Sequence, residues 1–232
     1  MEVEVVKRPL IILNIFASID GRLTTAPNRN VAEWTQLGLD GGANDVSHRL
    51  FDELECDGLI SGSESLIVWG NHYVPLDTEV YWPKKSKAYI VFDGRGRLNF
   101  VQTEGLLVVT RSNVHPEYIH QLREKNIQYI TAGDGDQIDL PIALQKLYES
   151  GFRRLGLTGG GKINGAFLRQ NLIDEFSIVV APVAVGGTNT PTIFDSNDAN
   201  SVSDLTALEL IQSRVINDNL IWMHYKKKGS IN

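Results

Sequence analysis

The chain has 232 residues, of which 42% are hydrophobic and 22% charged, a composition typical of a globular protein with a sizeable core. Its net charge of -6 argues against a general nucleic-acid-binding protein, which needs a basic surface. No segment approaches the ~18 apolar residues of a membrane span, and the single cysteine, Cys56, can form no intrachain disulfide. The short N-terminal apolar run ends in ASIDG rather than in a cleavage site, so we expect a soluble cytoplasmic protein with no membrane or nucleic-acid partner.

Apolar runs of strand length alternate with apolar residues at helical spacing. They predict strands at 10–18, 58–62, 87–93, 106–110, 127–133, 153–159, 175–187 and 220–228. They predict helices at 46–55, 116–126, 140–151 and 164–173. This alternation is typical of an α/β fold whose mainly parallel sheet is covered on both faces. No helix is predicted between the last two strands, so we expect them to form an antiparallel edge.

One strand end, LTGGGKINGAF (157–167), carries three consecutive glycines just before a helix. Ligands bind such sheets at the carboxyl ends of the strands. The glycine N–H groups at a helix N-terminus could cradle a phosphate, and Lys162 and Asn164 could add donors. A tight turn explains the glycines equally well, because neither the Rossmann nor the Walker A pattern is present.

Two further strand ends carry polar residues. SGSES (61–65) places a glycine between hydroxyl groups, and VVTRSN (108–113) contains Arg111 and Ser112. An arginine beside a hydroxyl suits a ribose 2′-phosphate, since a guanidinium binds phosphate through paired hydrogen bonds. An exposed turn is the alternative interpretation of this pair.

Three stretches resemble the RibD C-terminal reductase domain, the pyrimidine reductase of riboflavin synthesis: ILNIFASIDGRLTT, CDGLISGSES and LTGGGKINGAFLRQNLIDEFSIVVAPVAVGG. The resemblance covers nearly the whole chain. It implies a dihydrofolate-reductase-like three-layer αβα sandwich, with residues 1–232 forming a single domain. It also implies NADPH as the cofactor, a small heterocyclic substrate and usually a homodimer.

The resemblance also implies site residues. On the cofactor side these are Ala17, Ser61, Gly62, Ser65, Gly159, Gly160, Gly161, Lys162, Ile163, Asn164 and Gly187. Asp20 and Trp34 match positions that border the substrate and the nicotinamide. We add His72 and Thr158 as candidates on the substrate side.

The substrate side departs from the family's pattern at several positions. Thr158 replaces a substrate-binding glutamate and Trp69 an acid, while Leu76 and Glu53 replace two arginines that help to hold a ribose phosphate. A phosphate that is desolvated without a cation is costly. A phosphoribosyl substrate therefore needs another partner. The candidates are His48, Arg49 and His72.

Hydride transfer also needs a proton, and Asp20 is the best candidate for the acid, although Asp-Gly is a frequent turn pair. Trp34 either walls the pocket or packs in the core. The histidines show no metal-ligand spacing, and Asp134 and Asp136 lack the rest of a calcium loop, so we expect no metal.

Three functions stay open. The first is an NADPH-dependent reductase of a phosphoribosylamino-pyrimidine. The second is the same fold acting on another heterocycle, such as a pterin or dihydrofolate, and the third is a catalytically silent NADPH-binding protein. In each case we expect residues 24–45 to form a mobile wall of the pocket.

Overall fold

The computed structural model describes residues 7–68, 88–100 and 103–229. The strands are β1 (Leu10–Ala17), β2 (Gly58–Gly62), β3 (Ala88–Phe92), β4 (Leu106–Thr110), β5 (Gln128–Thr131), β6 (Arg154–Gly159), β7 (Glu175–Val180), β8 (Leu208–Ile216) and β9 (Leu220–Lys227). The α-helices are α1 (Ala32–Thr35), α2 (Ala43–Glu53), α3 (Ser63–Val68), α4 (Pro116–Glu124), α5 (Leu140–Glu149) and α6 (Gly161–Arg169). Within the described ranges, no helix is long and apolar enough to cross a membrane.

These strands form one sheet in the order β5-β4-β3-β2-β6-β1-β7-β9-β8. Neighbours from β5 to β7 pair in parallel, whereas β9 runs antiparallel to β7 and β8 antiparallel to β9. The structure thus confirms the α/β fold with a mainly parallel sheet and an antiparallel C-terminal edge. Strand β8 was not predicted, because its first eight residues are all exposed and show no alternation between buried and exposed positions.

The central strand β1 is buried on both faces, and its alternating side chains enter two separate cores. Ile11 and Leu13 pack in the core that includes Phe167 of α6. Ile12 packs on the other face, in the core that includes Phe51 of α2. Helices therefore cover both faces of the sheet, which confirms the predicted three-layer αβα arrangement.

Close packing of α2 on the sheet depends on a glycine in β6. A Cβ atom on Gly156 would collide with the ring of Phe51. The glycine in the predicted strand RRLGLTG therefore lets an aromatic side chain lie directly on the backbone.

Some element boundaries differ from the sequence predictions. Helix α6 begins at Gly161 rather than at residue 164, since Gly161, Lys162 and Ile163 already belong to its first turn. Strand β7 ends at Val180 rather than at residue 187. Pro182 follows soon after, and a proline has no N–H to donate to a neighbouring strand. Helices α1 and α3 have four and six residues, too few to show a helical period.

A buried polar chain ties the sheet to α2. The Trp222 indole N–H donates to Ser177 Oγ at 2.8 Å, and the Ser177 hydroxyl donates to Asn14 Oδ1 at 2.8 Å. The Asn14 amide then donates to the Ser47 carbonyl in α2 at 2.7 Å. All four residues are buried, so every hydrogen bond that is broken leaves a desolvated polar group.

We predict that Ser177→Ala lowers the free energy of unfolding by about 2 kcal/mol, because it leaves the Trp222 N–H and the Asn14 oxygen without partners. Urea unfolding measures the change. Ser150→Ala is the matched control, since that hydroxyl bonds at the exposed end of α5, and a change within about 0.5 kcal/mol is expected. Equal losses in the two variants would contradict the role given to the buried chain.

Candidate active site

An open cleft of about 950 Å³ lies at the carboxyl ends of the central strands. Residues at the ends of β1, β2, β3 and β6 line it, together with the first turn of α6. Two loops add its walls, at positions between 23 and 31 and between 188 and 195. The cleft therefore lies where parallel α/β sheets bind ligands.

The glycine turn forms part of this lining. Gly159 ends β6 with φ +103°, a conformation that favours glycine, and the Gly159–Gly160 peptide bond is cis. The Gly160 N–H donates to Ser65 Oγ at 2.9 Å. A Cβ atom on Gly160 would lie 2.8 Å from the same oxygen. The turn is thus fixed against the segment that follows β2.

Gly161 and Gly165 allow the second wall loop to lie against α6. A Cβ atom on Gly161 would collide with the Asp195 carboxylate and the Thr192 carbonyl. One on Gly165 would lie 2.5 Å from the Asp195 carbonyl oxygen. Close packing therefore explains these two glycines without any ligand.

The first turn of α6 keeps donors for a ligand. The first N–H groups of a helix have no acceptor within it. In the described part of the chain, no acceptor is bonded to the N–H groups of Gly161, Lys162 or Ile163. All three residues line the cleft. A helix N-terminus of this kind attracts a phosphate group.

Three cations surround one carboxylate beside this turn. Glu64, in the first turn of α3, forms ion pairs with Arg95 and Arg97, and its other oxygen lies 3.9 Å from Lys162 Nζ. Burial raises the pKa of Glu64, but the ion pairs with Arg97, Lys162 and Arg95 bring it below its ordinary value. The cluster therefore carries a positive surplus at the end of the cleft where β3 ends.

Arg111 and Ser112 lie outside the described lining of the cleft. The Arg111 guanidinium donates to the Gly94 carbonyl at 2.5 Å and to the Gly135 carbonyl at 3.0 Å. The Ser112 N–H donates to the Gly133 carbonyl at 2.7 Å. The pair thus joins the loops after β3 and β5, and the sequence could not show that these carbonyls occupy the guanidinium.

The Asp20 carboxylate joins two loops through hydrogen bonds. Its carboxylate accepts hydrogen bonds from Ser18 Oγ at 2.7 Å and from the N–H groups of Val185 at 3.0 Å and Gly186 at 2.7 Å. These bonds, that of Ser18 foremost, hold the pKa of Asp20 well below its usual range. Asp20 does not line the described cleft. An ionised, occupied carboxylate is a poor proton donor, which speaks against its expected acid role.

Three expected cofactor residues make contacts within the protein and do not line the described cleft. Ala17 is buried in the core at the end of β1. Asn164 is fully buried and donates to the Ile193 carbonyl at 2.9 Å, while its Oδ1 atom has no partner among the described residues. Gly187 adopts φ +87°, and a Cβ atom there would collide with Thr190. None of the three lines the described cleft.

Of the residues expected on the substrate side, Thr158 lines the cleft and Trp34 packs behind a lining residue. Thr158 lines the cleft, and its hydroxyl donates to the Ile60 carbonyl at 3.1 Å. Trp34 is 2% exposed and packs on Phe16, itself a cleft residue, with ring centroids 5.5 Å apart. Trp34 therefore supports the wall rather than forming it.

Other positions singled out from the sequence lie elsewhere. Glu53 pairs with Arg214 at 2.7 Å, and neither His48 nor Arg49 is among the lining residues. Burial lowers the pKa of His48. Trp69, His72 and Leu76 lie outside the described residues. No group of three or more potential metal ligands occurs in the ranges that the structure describes.

The structure nevertheless brings most of the predicted cofactor residues together. Those that line the cleft are Ser61, Gly62, Ser65, Gly159, Gly160, Gly161, Lys162 and Ile163. It also adds residues that sequence reasoning missed, above all Arg95 and Arg29. Arg95 follows β3 in DGRGR, a strand-end signal like those considered above, whereas Arg29 lies in a loop without a motif.

Curated proteins are similar to this chain in sequence. A curated 2,5-diamino-6-ribosylamino-4(3H)-pyrimidinone 5′-phosphate reductase of Methanothermobacter thermautotrophicus is 28% identical over 229 residues, covering 96% of this chain and 100% of the relative. A reductase of the same name from Aquifex aeolicus is 26% identical over 210 residues, covering 88% and 90%.

Solved structures share the fold. Acinetobacter baumannii RibD matches with a TM-score of 0.68 at 19% identity, covering 95% of this chain. The chain spans 58% of the length of that RibD chain. The riboflavin biosynthesis reductase Rib7 of Saccharomyces cerevisiae matches with a TM-score of 0.61 at 13% identity, covering 95% and 90%. The family model described as the RibD C-terminal domain matches residues 9–222, and the chain belongs to that family.

Proposed function

We propose that this chain catalyses the NADPH-dependent reduction of a ribosylamino-pyrimidine 5′-phosphate to its ribitylamino form, as a step of riboflavin biosynthesis. The observation that carries the proposal is the first turn of α6, whose N–H groups have no acceptor among the described residues and belong to residues that line the cleft, in a chain that matches curated reductases over their length. When bound, NADPH supplies the hydride. The residues of the chain bind it, orient it and exclude water.

We propose a direction for the bound cofactor relative to the strands of the sheet. The glycine turn after β6 is central, with β2 and β3 on one side and β1 on the other. The pyrophosphate would bind the N–H groups of Gly161–Ile163. The nicotinamide would lie towards β1, beside Ile15 and Phe16, and the adenosine towards β3.

Arg95 replaces Arg111 as the proposed partner of the 2′-phosphate. Arg95 lines the cleft after β3, whereas backbone carbonyls occupy Arg111. With Arg97 and Lys162 it outnumbers the Glu64 carboxylate. A 2′-phosphate can share these cations, which would favour NADPH over NADH.

We also propose a homodimer in which β8 forms the contact. This strand ends the sheet, and it exposes apolar side chains that include Val215 at 67% and Leu210 at 51%. Exposed apolar edge strands pair readily with another strand. A second copy of the chain offers the same edge, as a twofold contact requires.

The first test combines activity with cofactor binding. We expect the wild-type protein to oxidise NADPH when 2,5-diamino-6-ribosylamino-4(3H)-pyrimidinone 5′-phosphate is present, followed by the loss of reduced-nicotinamide absorbance. We expect Arg95→Ala to raise the Kd for NADPH about tenfold or more and to leave the Kd for NADH nearly unchanged, because only NADPH carries the 2′-phosphate. Arg123→Ala, in α4 and bonded to Tyr129, is the charge-matched control.

The outcomes separate the alternatives. If the protein oxidises NADPH with dihydrofolate or a pterin as acceptor but not with the pyrimidine, the reductase of another heterocycle is favoured. Tight NADPH binding without turnover of any acceptor would favour a silent binding protein. Equal weakening of NADPH and NADH by Arg95→Ala would contradict the 2′-phosphate assignment.

The second test concerns Asp20. Its folded-state pKa is lowered, so its stabilising effect is present above the unfolded pKa of about 3.9 and is lost as the pH falls towards the folded value. We expect Asp20→Asn to lower the Tm by a constant amount between about pH 5 and 8, and by less below about pH 4. We expect the pH profile of kcat to keep its shape in Asp20→Asn. If the wild-type kcat rose as the pH fell through the pKa of Asp20 and the variant lost that rise, the role of proton donor would be restored.

The third test concerns assembly. Sedimentation should give a dimer for the wild-type protein and a monomer for Val215→Lys, because a buried lysine without a partner opposes the contact. Leu37→Lys changes a residue of similar exposure, 73%, that is not part of β8, and should leave the dimer intact. A monomeric wild-type protein would contradict the proposal.

A further inference from the structure

One cation in the described cleft has no role in the proposed binding of the cofactor. Its lysine and arginine residues are Arg29, Arg95 and Lys162, as far as the structure describes the lining. Arg95 and Lys162 share Glu64 beside β3 and the start of α6. Arg29 lies apart from them, in the wall loop that follows β1.

The strands that precede the two groups lie apart in the sheet. Strands β2 and β6 lie between β3 and β1, so three strand spacings intervene. At about 4.8 Å each, they amount to about 14 Å across the sheet. A dinucleotide with its 2′-phosphate at Arg95 and its pyrophosphate at the glycine turn leaves Arg29 at the nicotinamide end. That end is where the substrate must bind to receive the hydride.

An ion pair holds Arg29 at the wall, but it engages only one nitrogen of the guanidinium. Its Nη1 atom lies 3.2 and 3.3 Å from the two Glu33 carboxylate oxygens, and Thr25 Oγ1 donates to Glu33 at 2.6 Å. The other guanidinium nitrogens have no hydrogen-bond partner among the described residues. The Arg29 side chain is 58% exposed, and exposed ion pairs are weak. A phosphate can therefore join or displace Glu33 and take paired hydrogen bonds from the free edge.

The neighbouring walls suit a phosphorylated sugar. Asn28 and Asn30 line the cleft beside Arg29, and Thr188 and Asn189 line it from the other wall loop. Their amides and hydroxyl can bond to sugar hydroxyls. In contrast, Glu53 stands where the family carries an arginine for the ribose phosphate. It is acidic and pairs with Arg214, so it cannot replace that arginine.

On the basis of the proposed reductase function, we infer that Arg29 binds the 5′-phosphate of the substrate. Arg29 thereby selects the phosphorylated ribosylamino-pyrimidine over the corresponding nucleoside. Thr25 and Glu33 position the guanidinium at the wall until the phosphate arrives.

Steady-state kinetics with the phosphorylated pyrimidine and its dephosphorylated nucleoside test the inference. We expect Arg29→Ala to raise the KM for the phosphorylated substrate about 10- to 100-fold, the range for a charge-assisted hydrogen-bonded contact. We expect kcat/KM for the nucleoside to stay within about twofold, and Arg29→Lys to fall between, because lysine keeps the charge without the fork. The Kd for NADPH should not change in either variant.

Arg123→Ala is again the control for loss of one exposed arginine. An equal loss of kcat/KM for both substrates in Arg29→Ala would overturn the inference and leave the reductase function standing. An unchanged KM for the phosphorylated substrate would overturn it too. A wild-type protein that oxidises no NADPH with either pyrimidine would instead refute the proposed function, and the inference with it.

Discussion

The close backbone contacts at Gly160 and Gly161 are the constraint on which the cleft depends. Ser65 Oγ contacts the turn from one side, and the Asp195 carboxylate with the Thr192 carbonyl contacts it from the other. A side chain at either glycine would push these segments apart. The same contacts hold the start of α6 at the carboxyl end of β6, where Gly161, Lys162 and Ile163 line the cleft.

Charge is distributed along the cleft in the order of the strands. The Glu64 cluster lies where β3 ends, the helix N-terminus follows β6, and Arg29 follows β1. Each of these three regions offers hydrogen-bond donors that suit a phosphate group, and Arg29 does so while it is paired with Glu33. In the proposed function, a dinucleotide cofactor would supply two such phosphates and a phosphorylated substrate would supply the third. Asp20, which resembles a site residue in sequence, instead joins its own loop to residues 185 and 186.

The sequence predicted the features that follow from periodicity and from local motifs. Buried strands such as β1 and the amphipathic α2 were predicted because apolar spacing reports burial, and the glycine turn because three glycines have few structural uses. It could not predict β8, whose two exposed faces leave no pattern, or the partners of Arg111 and Asp20, which are backbone groups distant in the chain. Arg29 belongs to no motif, so only the fold placed it in the cleft. That residues 1–232 form a single domain stays a prediction.

The most direct measurement of the central claim is a crystal structure of the protein with NADP⁺. The account predicts pyrophosphate oxygens at about 3 Å from the backbone nitrogens of Gly161, Lys162 and Ile163. It also predicts the nicotinamide ring on the β1 side of the glycine turn. A cofactor bound with its pyrophosphate away from the start of α6, or in the reverse direction, would contradict the account.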